Sequence, residues 1–430
     1  MFKNLISKFK NISELNWCHH VLIFGICFLF IISRRIDVVL YSQFWAEDGA
    51  VWFAQAYNLG ILKSFFLPHT GYLQTFSRII ASFSQFLPLV WVPLFYNLSA
   101  IFIKILPINF LLSGRFSHVS KKYSPFVLLS FVYLMLPNTT EVFANVTNTH
   151  WYLSLLAFMV IVAKPTKTWL GKFFDIFIIT LSSFSGPFVI LLLPLAFIYW
   201  YKKRYKEKLV VLILLTFFSL LQGLLIFLTA SGVRSSMDLG FSLGFLIKII
   251  SGQIFTASIF GFNGFANLYN LFLYKMDFLS KFVYLIIFLF GLFSLGFTLL
   301  KAKLEIKLFL VFSFLVLSAS LFSPMVSVTE LQWQVMSLPG AATRYWFIPM
   351  LGFVVSIFYL AFQKKYKFAR FLGFSVIIIM SIGIMWDWVI PSWKNFNFSN
   401  QVEEFSHVEV GEEYSFFIQP EGWQMKLIKK

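Results

Sequence analysis

Two adjacent acids, Glu47 and Asp48, stand in the stretch WAEDGAVWFAQAYNLG from Trp45 to Gly60, just after the first long apolar segment. Acids are scarce elsewhere in the first two hundred residues. Ionisable groups beside a membrane core are costly and mark functional sites. A carboxylate at a bilayer rim can act as a general base. It would take a proton from a sugar hydroxyl as that oxygen attacks an anomeric carbon. A lipid phosphate leaving group would then need cationic stabilisation. The plainer alternative is that Asp48 caps a helix and Glu47 faces solvent. Arg344, in Ala-Ala-Thr-Arg-Tyr-Trp, and Arg78 are the candidate phosphate partners, because the guanidinium fork matches two oxygens. Lys275 and Arg234 are weaker ones. His69 and His150 have polar neighbours and could bind a hydroxyl or a phosphate. Tyr72, Trp151 and Tyr345 belong to a set of aromatics, with Trp45, Trp52, Trp333 and Trp346, expected near one membrane surface. Most of that set reads as an interfacial belt, and a few could stack on sugar rings. Arg34 and Arg35 end the first apolar segment and read as snorkelling residues.

The elements that must hold these residues follow from composition. The chain has 430 residues, 59% hydrophobic and 20% aromatic with 58 Phe, and only 12% charged, which places it among polytopic membrane proteins. Its net charge of +17 is distributed as short basic clusters between apolar runs, without a basic face, so nucleic acid is not an expected partner and membrane lipid is. Runs of roughly 20 apolar residues suit a hydrocarbon core about 30 Å thick and predict about 11 transmembrane helices. In order, these are about 17–34, 90–112, 124–137, 151–163, 173–184, 188–201, 209–230, 279–300, 308–323, 346–362 and 371–390. The basic clusters put the N-terminus in the cytoplasm. Loops 35–88, 138–150, 231–278 and 324–345 and the tail 391–430 then share the outer side, beyond a membrane domain of residues 1–390. Loop 231–278 is too apolar to be free and reads as interfacial or re-entrant helices. Within the first loop, Trp45, Gly49, Trp52, Ala56 and Leu59 share one helical face. Asp48 stands at the N-cap position and Gly60 at C′, so a surface-lying amphipathic helix is expected. A second amphipathic piece, Thr70–Phe86, carries Arg78.

Other chemistries lack their parts. There is no Walker or dinucleotide glycine pattern and no zinc motif, so neither a metal nor a cofactor is expected. Gly261-Phe-Asn-Gly264 is too short and aromatic for a phosphate cradle. The two cysteines, Cys18 and Cys27, sit too far apart on one helix to bridge.

A multi-span chain with an acidic pair in the first outer loop resembles the GT-C class of membrane glycosyltransferases. FWAEDG, then AYNLG, then GYL with a following Arg is similar to the bacterial serotype-converting O-antigen glucosyltransferases. Asn148-Thr-His-Trp151, Ser185-Gly-Pro-Phe188, Arg344-Tyr-Trp346 and Gln419-Pro-Glu-Gly-Trp423 add to the likeness. The resemblance implies a GT-C-like all-α bundle in the bacterial inner membrane, with its site and C-terminus periplasmic. It implies a polyprenyl-phosphate sugar donor, with glucose expected, and a lipid-linked or growing polysaccharide acceptor. Inversion by single displacement would follow, with Asp48 or Glu47 as base. Many class members carry a second acid in a following outer loop, and Glu141 is the nearest candidate here. Two other classes compete: a transporter or flippase for lipid-linked sugars, which should show paired broken helices, and an O-antigen polymerase, which needs large Arg-rich outer loops.

Overall fold

The computed structural model describes residues 15–229, 237–275 and 277–430. The start of the 231–278 segment, including Arg234, and the basic N-terminal residues Lys3, Lys8 and Lys10 lie outside the described residues. Among the described residues eight helices are long and apolar enough to cross a membrane, and the chain is a multi-pass membrane protein. Seven coincide with expected spans. These are α1 (Trp17–Arg34), Leu89–Leu111, which contains α6 (Val92–Leu111), and α11 (Lys206–Thr229), followed by α14 (Phe278–Lys301), α15 (Leu304–Phe322), α17 (Thr343–Phe362) and α18 (Lys367–Trp386).

The eighth, Leu243–Leu271, lies in the segment expected to be interfacial. It comprises α12 (Leu243–Ile249), a π-turn (Ile250–Thr256) and α13 (Ala257–Leu271). Its glycines and polar residues hid its length, because the break at Gly261 interrupts the apolar run without ending the helix.

Four expected spans are shorter than a bilayer. α7 (Ser124–Leu134), α8 (Thr149–Val162), α9 (Trp169–Phe184) and α10 (Phe188–Lys203) have 11, 14, 16 and 16 residues. At 1.5 Å per residue they are about 17–24 Å long. Every residue of α8 is buried. The segment between α7 and α8, expected as a polar outer loop, is polar but buried. From Asn138 to His150 only Thr140 is exposed and only Glu141 is partly so. It can be buried because it satisfies itself. Asn145 Nδ2 and Asn148 Nδ2 both donate to Glu141 O at 2.7 Å, and Asn148 N donates to Asn145 Oδ1 at 3.0 Å.

α17 is the central helix, packed on α15, α18 and α14. One end of the bundle gathers the first-loop elements α2 (Asp37–Leu40), α3 (Ala54–Leu59), α4 (Ile61–Phe65) and α5 (Thr75–Ser84), with the 138–150 segment and α16 (Gln332–Met336). The other end gathers the basic clusters. There Arg115 pairs with Asp175 at 2.6 Å, Lys203 with Glu305 at 3.2 Å, and Lys303 Nζ donates to His118 O at 2.7 Å.

The described chain is helical as expected, with one small sheet in the tail. α19 (Phe398–Ser406) is followed by an antiparallel hairpin, β1 (Glu413–Ile418) with β2 (Trp423–Ile428). The tail docks on the first loop. Gln419 N donates to Phe44 O at 3.0 Å, Ala46 N donates to Gln419 O, and Asn58 bridges Lys426 O and Ile428 N.

Arg34 does not snorkel. It is 2% exposed, and its guanidinium donates to Trp388 O, Leu134 O and Asp387 O, each at 3.1 Å. These carbonyls end α7 and follow α18, where helix termini lack intrahelical donors. Arg35 is likewise buried, 3.4 Å from Asp37 and with its guanidinium 3.8 Å from the Trp393 ring centroid. Both were drawn inward by carbonyl and carboxylate partners that a helix-by-helix reading does not supply.

At Gly261 the backbone takes φ 77° and ψ −178°, a region open to glycine alone. The break frees Phe262 N and Asn263 N, and both donate to the Asp387 carboxylate, the latter at 3.1 Å. The amides of the Gly261–Gly264 stretch are thus taken up by a carboxyl group of the same chain. A Cβ at position 261 would press on Asp387 and lie 3.1 Å from Gly383 O. Gly261→Ala is expected to cost about 1–3 kcal/mol from backbone strain alone, read as a lower melting temperature in detergent, with Gly223→Ala, where an added Cβ meets no heavy atom within 4 Å, as a comparison.

Candidate functional site

Asp48 opens a π-turn, Asp48–Phe53, that runs into α3, and Glu47 stands just before it at the cap position. The expected single surface helix with Asp48 as N-cap is therefore corrected. Asp48 makes no capping bond to its own helix, and Trp52 is fully buried rather than lying on lipid. Gly60 does end α3, with φ 88°.

The reason is the partner that Asp48 finds. Its Oδ2 accepts from Val146 N at 2.9 Å. Its Oδ1 accepts from Thr147 N and Thr147 Oγ1, each at 2.7 Å. Thr147 Oγ1 also accepts from Trp52 Nε1 at 2.9 Å. Asp48 therefore stitches the first loop to the buried 138–150 segment, and both its oxygens are occupied. It is 1% exposed. Burial pushes its carboxyl up to about 7, against the pull of the three donors.

This has a measurable consequence. The folded form holds the Asp48 proton to higher pH than the unfolded chain does. Stability from this group is fully present below about pH 4 and is lost as pH rises towards 7. Across that window the loss is on the order of 4 kcal/mol. Thermal melts at pH 5 and pH 8 should show the wild type weaker at pH 8, with a smaller difference in Asp48→Asn.

Glu47 differs. It is half-buried, and burial raises its carboxyl while its own backbone N–H and the charge of Arg344 lower it. Arg344 lies on the first turn of α17. Its Nη1 is 3.1 Å from Glu141 Oε1, its backbone N donates to Glu141 Oε2 at 3.0 Å, and its Nη2 donates to Met325 O at 2.7 Å. The Arg344 side chain is 29% exposed and that of Glu141 25%, so this ion pair reaches solvent. The guanidinium lies 4.7 Å from the Tyr345 ring centroid. The electrostatic neighbours of Tyr72 are Tyr345, Arg344 and Glu47, with burial raising its hydroxyl. Trp151 stands edge-on to Tyr345 at 6.1 Å and to Phe188 at 4.7 Å. Glu47, Tyr72, Glu141, Arg344, Tyr345 and Trp151 thus converge, although their sequence positions span nearly three hundred residues.

His150 is buried, with Nδ1 2.7 Å from Thr147 O and its ring 5.7 Å from that of Phe188. It braces the segment that holds Asp48. Gly186 runs against it, where a Cβ would lie 3.4 Å from His150 Cβ. The motifs at 148–151, 185–188 and 344–346 therefore meet around one locus.

Arg78 and His69 form a second layer around Trp52. The Arg78 guanidinium lies 4.7 Å from the Trp52 ring centroid, and His69 meets that ring edge-on at 4.9 Å. Arg78 is 2% exposed and donates to Leu67 O at 3.1 Å. Burial, with Arg78 nearby, lowers His69 to about 4, so its imidazole is neutral at neutral pH. His69 is also tied by its backbone to Tyr72 of the Glu47–Arg344 cluster: His69 N donates to Tyr72 O at 3.0 Å and Tyr72 N to His69 O at 3.2 Å.

The belt assignment also fails for Trp151, Trp333 and Trp346, which are at most 4% exposed and pack in the core. Lys275 is exposed, and its charge acts on Asp277. Thr147 and Trp52 are parts of the site whose roles had no sequence signal. A Thr that receives a carboxylate looks like any other Thr in a polar segment.

Between α3, α5 and the tail lies a cleft of about 560 Å³ lined by Tyr57, Gln85, Phe405, Lys429 and Lys430 among others, and no residue of the Glu47–Arg344 cluster lines it. Comparison of the chain with protein-family models, with curated proteins and with solved structures finds no match to any of them.

Proposed function

We propose that the chain is a membrane glycosyltransferase that moves a sugar from a polyprenyl-phosphate donor to a surface polysaccharide on the periplasmic side of the bacterial inner membrane. The observation that carries this reading is the convergence of a half-buried carboxylate, Glu47, with a partly exposed Arg344–Glu141 pair walled by Tyr72, Tyr345 and Trp151. In this reading Glu47 is the base. The acceptor hydroxyl oxygen attacks the anomeric carbon, Glu47 takes its proton, and the bond to the phosphate oxygen breaks with inversion. The polyprenyl phosphate leaves with its electron pair, stabilised by Arg344, which uses only part of its five donors on Glu141 and Met325. Asp48 is a positioning residue that fixes the turn following Glu47.

The test is transfer by the purified protein in liposomes, with polyprenyl-phosphate glucose and a lipid-linked polysaccharide acceptor. The expected product is a side-branch hexose, absent with Arg344→Ala. Donor movement across the bilayer without transfer would instead support a lipid-linked sugar transporter.

A further inference from the structure

A second cavity, of about 350 Å³, lies between α6, α7, α8, α15 and α17. Its blind end is formed by buried Tyr133, Leu155 and Leu351. Above it, an aromatic layer of Tyr133, Tyr152 and Phe347, with ring centroids 5.0–6.4 Å apart, closes it from the Glu47 cluster. Its exposed lining residues, Lys303 and Phe362, and its partly exposed Ser120 and Gln363 all lie at the other end of the bundle. The cavity therefore opens at the end where the basic clusters gather.

Water has few partners in this space. A buried water needs two to four polar partners. Most of the wall is Leu, Ile, Val, Met, Phe and Pro, the Tyr133 hydroxyl already donates to Lys104 O, and the buried Ser130 hydroxyl alone cannot satisfy a water. A hydrocarbon chain does fit. From Phe362 to Leu351 the wall of α17 runs about 17 Å at 1.5 Å per residue, close to one leaflet of a core about 30 Å thick. The mouth is cationic. Lys121 and Lys122 follow Ser120, Lys364 and Lys365 follow Gln363, and all four are exposed. The acid that lines the cavity, Glu305, is buried and paired with Lys203.

We propose that the acyl chain of an anionic membrane phospholipid enters from this end and fills the cavity, its head group held by the lysines around the mouth. The occupant ties together the short helices α7 and α8, which cannot cross a bilayer alone. Basic pockets between membrane helices bind anionic head groups in this way. The site faces away from Glu47 and is independent of the transferase reading.

The experiment uses the full chain in mild detergent with phosphatidylglycerol carrying a photoreactive group on its acyl chain. Label is expected within residues 155–162 and 351–358. Unlabelled phosphatidylglycerol should compete at least about tenfold better than phosphatidylcholine, each exposed lysine adding attraction near the surface. Lys121, Lys122, Lys364 and Lys365 changed together to Gln should abolish that preference, and Met159→Trp should remove the label. Label confined to outward-facing residues such as Phe217 and Ile378 in the wild type would overturn the site. Equal competition by phosphatidylcholine would overturn the head-group assignment. Better competition by a polyprenyl phosphate would overturn the choice of phospholipid. Because the wild-type map and competition stand alone, a Met159→Trp protein that fails to fold does not protect the proposal.

Discussion

Glu47→Gln is expected to lower sugar transfer by about 10²–10⁴-fold, the usual contribution of a general base, while leaving insertion and melting temperature near those of the wild type. Gln keeps the size and polarity of the side chain and removes only its ability to hold a proton. Glu47 sits half-buried. Asp48→Asn should behave in the opposite manner. The Asp48 oxygens face two backbone N–H groups and a hydroxyl, so an amide NH₂ in either position points a donor at a donor. Its first effect should be on stability and on the amount of folded protein. Measuring transfer per folded molecule for both variants separates the two roles. A fully active Glu47→Gln protein would end the assignment of the base. A stable but inactive Asp48→Asn protein would transfer the role to Asp48.

The second large effect is expected at Arg34. Arg34→Ala should destabilise the protein by about 3–5 kcal/mol, the range for removing one partner of a buried charged hydrogen-bond network. Three carbonyls, of Leu134, Asp387 and Trp388, would lose a donor at once in a site closed to water. Arg34→Lys should recover only part of this, since a single ammonium cannot serve carbonyls at the ends of two helices as a planar fork does. Thermal melts in detergent check both. Melting temperatures within a degree of wild type for Arg34→Ala would show that water replaces the lost donors, contrary to the burial of the site.

The acids and the aromatics mark how far the chain could be read in one dimension. Glu47 and Asp48 were visible as a pair because acids are rare in this chain, and the 344–346 and 148–151 motifs were visible as polar punctuation between apolar runs. Their division of labour was not visible. Asp48 turned inward because Val146, Thr147 and the Thr147 hydroxyl met it across a hundred residues of sequence. Glu141, noticed only as the nearest later acid, found Arg344 two hundred residues on.

The membrane spans were legible because a helix in lipid must be apolar along its own length, a local property that composition records directly. Among the described residues, seven of the eight long apolar helices lie where apolar length placed them. The remainder depended on contacts. The 138–150 segment is polar and yet buried, because its hydrogen bonds close upon themselves. The Leu243–Leu271 helix survives a break at Gly261, because Asp387 from another helix end satisfies the freed amides. The tail folds into a hairpin against the first loop through backbone pairs that no side-chain pattern announces. Sequence by itself determined where seven of the long apolar helices among the described residues lie and which residue types were available for chemistry. The tertiary structure alone decided which polar groups meet, because a buried donor and acceptor must find one another in space whatever their separation along the chain.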